Sequence, residues 1–132
     1  MTGSVACIML IDDNKTDNFF HERVIRKNEA SQTVVAMASA YEALAFLQSG
    51  KTLPDIIFLD VNMPGMGGYD FIAQYKALGL AKKCLIVIMT SDYADPEEEA
   101  LEAAKGIFAD FRPKPLTRES LGSVLEKYNT HP

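Results

Sequence analysis

The sequence predicts an α/β domain: a doubly wound, five-stranded parallel sheet in the order 2-1-3-4-5. Three observations predict it. Short apolar runs alternate with stretches of helical periodicity, giving five βα units in a row. Right-handed crossovers then leave few topologies open. Pro113 falls at the end of the fifth strand, which this order puts at an edge, where a missing N–H is tolerated.

The elements follow in order. Strand 1 is about residues 5–11 and helix 1 about 15–28, with Phe20 and Val24 one turn apart. Strand 2 is about 33–37. Ser39 and Glu42 form a capping-box pattern for helix 2, whose apolar face is Ala40, Ala43, Leu44 and Leu47 and whose end is Gly50. Strand 3 is about 55–60, and helix 3 carries Phe71, Ile72, Tyr75 and Leu78. Strand 4 is 84–90. Helix 4 opens at "DPEEE", with Asp95 as cap, Pro96 in the first turn and glutamates against the positive end of the helix dipole. Strand 5 is about 107–111. Helix 5 spans about 117–128, with Leu121, Val124, Leu125 and Tyr128 on one face.

The bulk numbers narrow the function. With 132 residues and 48% apolar composition, one domain over 1–132 has a sufficient core. No run of 18 apolar residues predicts a membrane span, and no signal peptide is visible, which points to the cytoplasm. Eighteen acidic against thirteen basic residues, a net charge of −5, argue against a nucleic-acid surface. Cys7 and Cys84 sit in apolar runs and read as buried thiols. The strand order separates them by roughly two strand spacings, about 10 Å, too far for a disulfide. His21 and His131 read as solvated.

The chemistry collects where the strands end. "CIMLIDDN" runs into Asp12 and Asp13, and "IIFLDVNMPG" ends strand 3 on Asp60 before a turn. Strand 4 ends on Thr90 and Ser91, and strand 5 leads to Lys114. Strand 2 contributes nothing obvious. Singly, each of these is a helix cap or turn former as readily as a ligand. Together, in this order on these strand ends, they point to a ligand site at the carboxyl edge. Three adjacent carboxylates repel and raise one another's pKa values, so a cation must offset them. Mg²⁺ suits an all-oxygen site that also receives a phosphate group. Lys114 adds a positive charge suited to a phosphoryl oxygen. Asp60, alone on the central strand, is the candidate nucleophile; Asp12 and Asp13, paired at the flank, are candidate metal ligands.

These motifs, "IDDN" at 11–14, "LDVNMPGMGG" at 59–68, "MTS" at 89–91 and "KPL" at 114–116, together resemble the receiver domains of two-component response regulators, with a flavodoxin-like (βα)5 fold. The resemblance covers nearly the whole chain. It implies Asp60 as phosphoacceptor, Asp13 as direct Mg²⁺ ligand with Asp12 assisting through water, and the Asn62 backbone carbonyl as a further ligand. It implies that Thr90 and Lys114 hold phosphoryl oxygens and that Phe111 is an aromatic switch. Lys114–Pro115 is expected to be cis. Asn62 and Asp92 match positions that tune hydrolysis. The implied partners are a histidine kinase or phosphotransfer protein and a downstream protein. The face of helix 4, strand 5 and helix 5 is expected to respond, by docking a target or by forming a homodimer. No free-substrate turnover is expected. Gly67 departs from the family, which very often has an acidic residue there, and Arg112 and Pro113 are less usual in strand 5.

Other functions fit less well. A Mg²⁺-dependent phosphatase using an aspartyl-phosphate usually has a second aspartate two residues after the nucleophile, where this chain has Asn62. A mononucleotide binder needs a Ser/Thr/Gly-rich loop after strand 1, where this chain has "DDNKTD". A stand-alone receiver is expected over a segment of a hybrid histidine kinase.

Overall fold

A computed structural model of the chain describes residues 4–80, 83–90 and 98–131, with the side chain of Thr90 left out. Five strands, β1 (Val5–Ile11), β2 (Ser31–Met37), β3 (Ile56–Asp60), β4 (Leu85–Thr90) and β5 (Ala109–Pro113), form one sheet. Every pairing is parallel, and the order is β2-β1-β3-β4-β5, as the sequence predicts. The connecting helices are α1 (Lys15–Lys27), α2 (Ala40–Ser49), α3 (Gly68–Leu78) and α4 (Glu98–Ala103), and α5 (Arg118–Thr130) follows β5.

Successive side chains of a strand point to opposite faces, so each central strand feeds two cores. Ile8, Leu10, Ile56, Phe58, Leu85 and Val87 pack with Ile25 of α1 and with Leu121, Val124 and Leu125 of α5. Met9, Ile11, Ile57, Leu59, Ile86 and Ile88 pack with Ala43 and Leu47 of α2 and with Phe71 and Ile72 of α3. Helices therefore cover both faces, and all five residues of β3 are buried. Each fully buried Leu or Ile contributes about 1.5–3 kcal/mol. Asp60 thus stands at the end of a strand buried along its whole length.

The helix starts are fixed by side chains. Asn14 Oδ1 accepts the N–H groups of Thr16 (2.9 Å) and Asp17 (3.1 Å) and sets the first turn of α1. Ser39 Oγ accepts the Glu42 N–H at 3.2 Å, as expected, but the Glu42 carboxylate reaches back to the N–H of Ala38 rather than to that of Ser39. Gly50 closes α2 with φ +67°, a left-handed cap that favours glycine. Thr117 and Ser120 form a reciprocal capping box on α5 that the sequence reading did not single out.

Several boundaries and one face differ from expectation: β2 begins two residues earlier, at Ser31, and α5 ends two residues later, at Thr130. β5 begins at Ala109 rather than 107 and runs to Pro113, which pairs with Thr90 at the sheet edge. The expected opening of α4 at Asp95 and Pro96 lies outside the described residues. On α1 the buried residues are Asn18, His21 and Ile25, while Phe20 is 51% exposed and Val24 packs only partly. His21, expected to be solvated, is only 5% exposed; the inward stripe is set by Ile25 and by polar groups that reach the strand ends. His131 is exposed and lies against Phe108, ring centroids 3.9 Å apart. Cys7 on β1 and Cys84 before β4 are buried and not disulfide-bonded.

A polar staple fixes the amino edge of the sheet. Asp55, 5% exposed, accepts the N–H groups of Ala6 and Cys7, each at 3.0 Å, and the Tyr128 hydroxyl at 2.8 Å. It ties β1, β3 and α5 together at the end opposite Asp60.

Candidate functional site

At the carboxyl edge, Asp12 and Asp13 leave β1, Asp60 ends β3 and Lys114 follows β5. Each aspartate also shapes its own turn or borders one. Asp12 Oδ1 accepts the N–H of Asn14 at 2.9 Å, and Asp60 Oδ1 accepts that of Asn62 at 3.3 Å. Both carboxylates therefore form turns while standing at the carboxyl edge of the sheet. The β3–α3 loop is held close: a Cβ on Gly68 would lie 2.6 Å from Val61 Cα and 3.0 Å from Asp60 O.

Asp12, Asp13 and Asp60 each offer a carboxylate oxygen within 4.8 Å of the others. Asp12 and Asp60 are buried, while Asp13 is exposed. Burial pushes the Asp60 carboxyl up to about 6, and Asp12 and Asp13 push it the same way, while Lys114 and the Asn62 N–H pull it down. Such crowding of oxygen-only donors fits a hard divalent cation.

Lys114 Nζ sits 2.6 Å from Asp12 Oδ2, 2.9 Å from Asp17 Oδ2 and 3.7 Å from Asp60 Oδ1. Burial alone would lower its pKa; the hydrogen bonds to Asp12 and Asp17 and the charge of Asp60 outweigh that and raise it. The ammonium is held charged among three acids, Asp12, Asp17 and Asp60. The Lys114–Pro115 bond is cis.

The site thus brings together Asp12, Asp13, Asp60, Asn62 and Lys114. β4 pairs Met89 with Asp60, so Thr90 is the next residue along, although its side chain, Ser91 and Asp92 lie outside the described residues. Phe111 pairs with Ile88 and is partly buried against the α2–α3 core.

Three α1 residues were missed. Asp17 is the second acid on Lys114. Asn18 Nδ2 donates to the carbonyls of Asp12 (2.9 Å) and Met37 (3.3 Å), tying the ends of β1 and β2, so strand 2 does contribute. His21 lies behind them; burial lowers its pKa and keeps the imidazole neutral, with Asp17 pulling the other way. The 18-21-25 spacing was the available signal, hidden because its first two members are polar.

Comparison with known proteins agrees with this geometry. The profile of the response regulator receiver domain matches residues 8–126. The chain is 33% identical over 108 residues to a protein-glutamate methylesterase/protein-glutamine glutaminase 3 of Burkholderia thailandensis, covering 82% of this chain and 29% of that protein. It is 28% identical over 124 residues to protein PilG of Pseudomonas aeruginosa, covering 92% of this chain and 85% of that one. Over 122 residues it is 25% identical to the sensor histidine kinase CheAY of Helicobacter pylori, covering 91% of this chain and 14% of that one. Among solved structures, a two component response regulator from Cytophaga hutchinsonii superposes with TM-score 0.83 at 27% identity, covering 97% of this chain and 99% of that one. The chemotaxis protein CheY4 of Vibrio cholerae gives 0.75 at 25% identity, covering 95% and 99%.

The chain belongs to the response regulator receiver domain family. It spans only 14%, 65% and 29% of the lengths of the kinase CheAY, of response regulator Rcp1 of Synechocystis and of the methylesterase. Receiver domains are in general phosphoacceptors rather than turnover enzymes, and they bind Mg²⁺ at the acidic pocket that Asp12, Asp13 and Asp60 form here. No helix among the described residues is long and apolar enough to cross a membrane.

Proposed function

We propose that residues 1–132 act as one phosphorylation-controlled switch with Asp60 as its phosphoacceptor. The observation that carries this reading is the convergence of three carboxylates within 4.8 Å beside an ammonium 3.7 Å from Asp60. Asp13, Asp60 and the Asn62 backbone carbonyl would hold Mg²⁺, with Asp12 assisting. When bound, the ion would offset the carboxylates and the oxygens of the incoming phosphoryl group.

Asp60 Oδ1 is occupied by the Asn62 N–H and faces Lys114; Oδ2 receives no hydrogen bond from any described residue. Oδ2 is thus the oxygen that attacks phosphorus. The new O–P bond forms as the P–N bond to a donor histidine breaks, and the electron pair leaves with the imidazole. Lys114 then turns from Asp17 to a phosphoryl oxygen, and the Thr90 hydroxyl holds another. Phe111 turns inward, and the face of α4, β5 and α5 changes its affinity for a protein partner. Water attack on phosphorus resets the switch, with Asn62 and Asp92 tuning its rate.

A histidine kinase or phosphotransfer protein is the proposed donor, and the chain acts in the cytoplasm through protein contacts rather than on nucleic acid. Asn62 in place of a second aspartate disfavours a phosphatase. Intact-protein mass spectrometry after incubation with acetyl phosphate tests the reading. Wild type gains one acid-labile phosphoryl group only with Mg²⁺, and Asp60→Asn gains none. Turnover of assorted phosphate esters would replace this reading with the phosphatase one.

A further inference from the structure

The end of the sheet remote from Asp60 carries a second feature that the switch does not use. Between α3 and the turn after α4 lies a cavity of about 320 Å³. Tyr75, Leu80, Ile107 and Phe108 give it an apolar lining, and Lys76, Lys83 and Lys105 line it as well. Its size falls at the lower end of ordinary small-molecule sites, which pair an apolar lining with a few polar groups.

The charge is the informative part. The chain as a whole carries −5, yet the described residues lining this cavity include three lysines and no acid. Exposed lysines usually serve solubility alone, and Lys105 has a partner in Glu102 at 2.8 Å. That pair is an i,i+3 contact with both side chains more than 70% exposed, so it holds the ammonium only weakly. Lys76 and Lys83 have no partner among the described residues. Tyr75 presents little polarity, because its hydroxyl already accepts the Cys84 N–H at 3.0 Å.

Phe108 widens the apolar surface. Its ring stacks on that of His131, centroids 3.9 Å apart, and lies 6.5 Å from that of Tyr128. A neighbouring depression of about 390 Å³ uses this stack and shares both Lys83 and Phe108 with the first. An apolar, ring-lined hollow flanked by ammonium groups is complementary to one kind of occupant.

We propose that this cleft binds a small aromatic organic anion, its ring in the cavity and its phosphate, sulfonate or carboxylate on the lysines. Such an occupant would brace the C-terminal end of α3 against the turn after α4. Because α4 belongs to the face proposed to move, occupancy would be coupled to the state of Asp60. That coupling rests on the proposed function, whereas binding does not, so the experiment is done without phosphodonor.

The test uses 1-anilinonaphthalene-8-sulfonate as probe, titrated into the full chain and followed by fluorescence and by amide ¹H–¹⁵N shifts. One saturable site is expected, with shifts centred on Lys76, Gly79, Lys83, Gly106 and Phe108. The triple variant Lys76→Gln, Lys83→Gln, Lys105→Gln should weaken binding by roughly tenfold or more, as loss of three exposed charge contacts implies. The corresponding triple arginine variant should bind within about twofold of wild type, since charge is kept. The uncharged analogue N-phenyl-1-naphthylamine should bind far more weakly. Shifts that map elsewhere, or a triple glutamine variant that binds as well as wild type, overturn the proposal.

Discussion

The Lys114 ammonium lies 2.6 Å from Asp12 Oδ2, joining two residues 102 positions apart. The Asp12 side chain is 5% exposed and that of Lys114 is 21% exposed. Removing the cation leaves buried carboxylates facing one another. Lys114→Ala should therefore destabilise the metal-free protein by about 1–3 kcal/mol, below the ~3–5 kcal/mol of a fully buried pair because the lysine keeps some solvent. Urea unfolding in EDTA reads this. Adding Asp12→Asn should recover part of the loss, and additive effects of the two changes would show that the pair is not coupled.

Asp60 gives a pH signature. Its carboxyl stands at about 6 in the fold against 3.8 as the ordinary value. The folded state therefore holds the proton more tightly than the unfolded state. Below pH ~3.8 both are protonated and the site carries no penalty; between there and about 6 stability falls as pH rises; above that the full penalty applies. Asp60→Asn should stabilise the metal-free protein at pH 7.5 by ~1–3 kcal/mol, and the gain should vanish below pH 4. Chemical unfolding at both pH values measures it. A gain independent of pH would refute this account of Asp60.

Much of this was legible beforehand, for a physical reason. Apolar runs that end abruptly on Asp12 and Asp60 give both the strands and the site, because a parallel sheet delivers its strand ends to one edge. The α1 face was not legible. Hydrophobic periodicity finds Phe20 and Val24, but the inward positions are Asn18 and His21, polar groups whose neighbours exist only after β1 and β2 are side by side. The start of β5 was misplaced for a similar reason. Ile107 and Phe108 look like strand, yet the ladder begins at Ala109, and Phe108 is instead drawn toward Tyr128 and His131.

Two glycines should respond in opposite directions to alanine. At Gly68 the new methyl meets backbone at 2.6 Å, so the loop carrying Asn62 must shift. Gly68→Ala should cost about 1–3 kcal/mol and also weaken Mg²⁺ binding. At Gly122, inside α5, nothing lies within 4 Å. Gly122→Ala should stabilise by roughly 0.5–1 kcal/mol without affecting the ion. Thermal unfolding with and without Mg²⁺ separates the two effects.

Tyr128→Phe should loosen the staple at the other edge. It removes the 2.8 Å hydrogen bond to buried Asp55 while leaving the two strand N–H groups in place. A loss of about 1–2 kcal/mol is expected, with Asp60 phosphorylation unchanged. Urea midpoints alongside acetyl phosphate labelling give both readouts; a large labelling defect would mean that the two edges are coupled.

The central claim is that Asp60 accepts the phosphoryl group and Lys114 changes partner to hold it. A crystal structure of the chain with Mg²⁺ and beryllofluoride, a phosphoryl mimic, tests this most directly. The account predicts trifluoroberyllate bonded to Asp60, the ion on Asp13, and Lys114 Nζ moved from Asp17 to a fluorine. An adduct on another residue, or Lys114 still bound to Asp17 beside a fully formed Asp60 adduct, would contradict it.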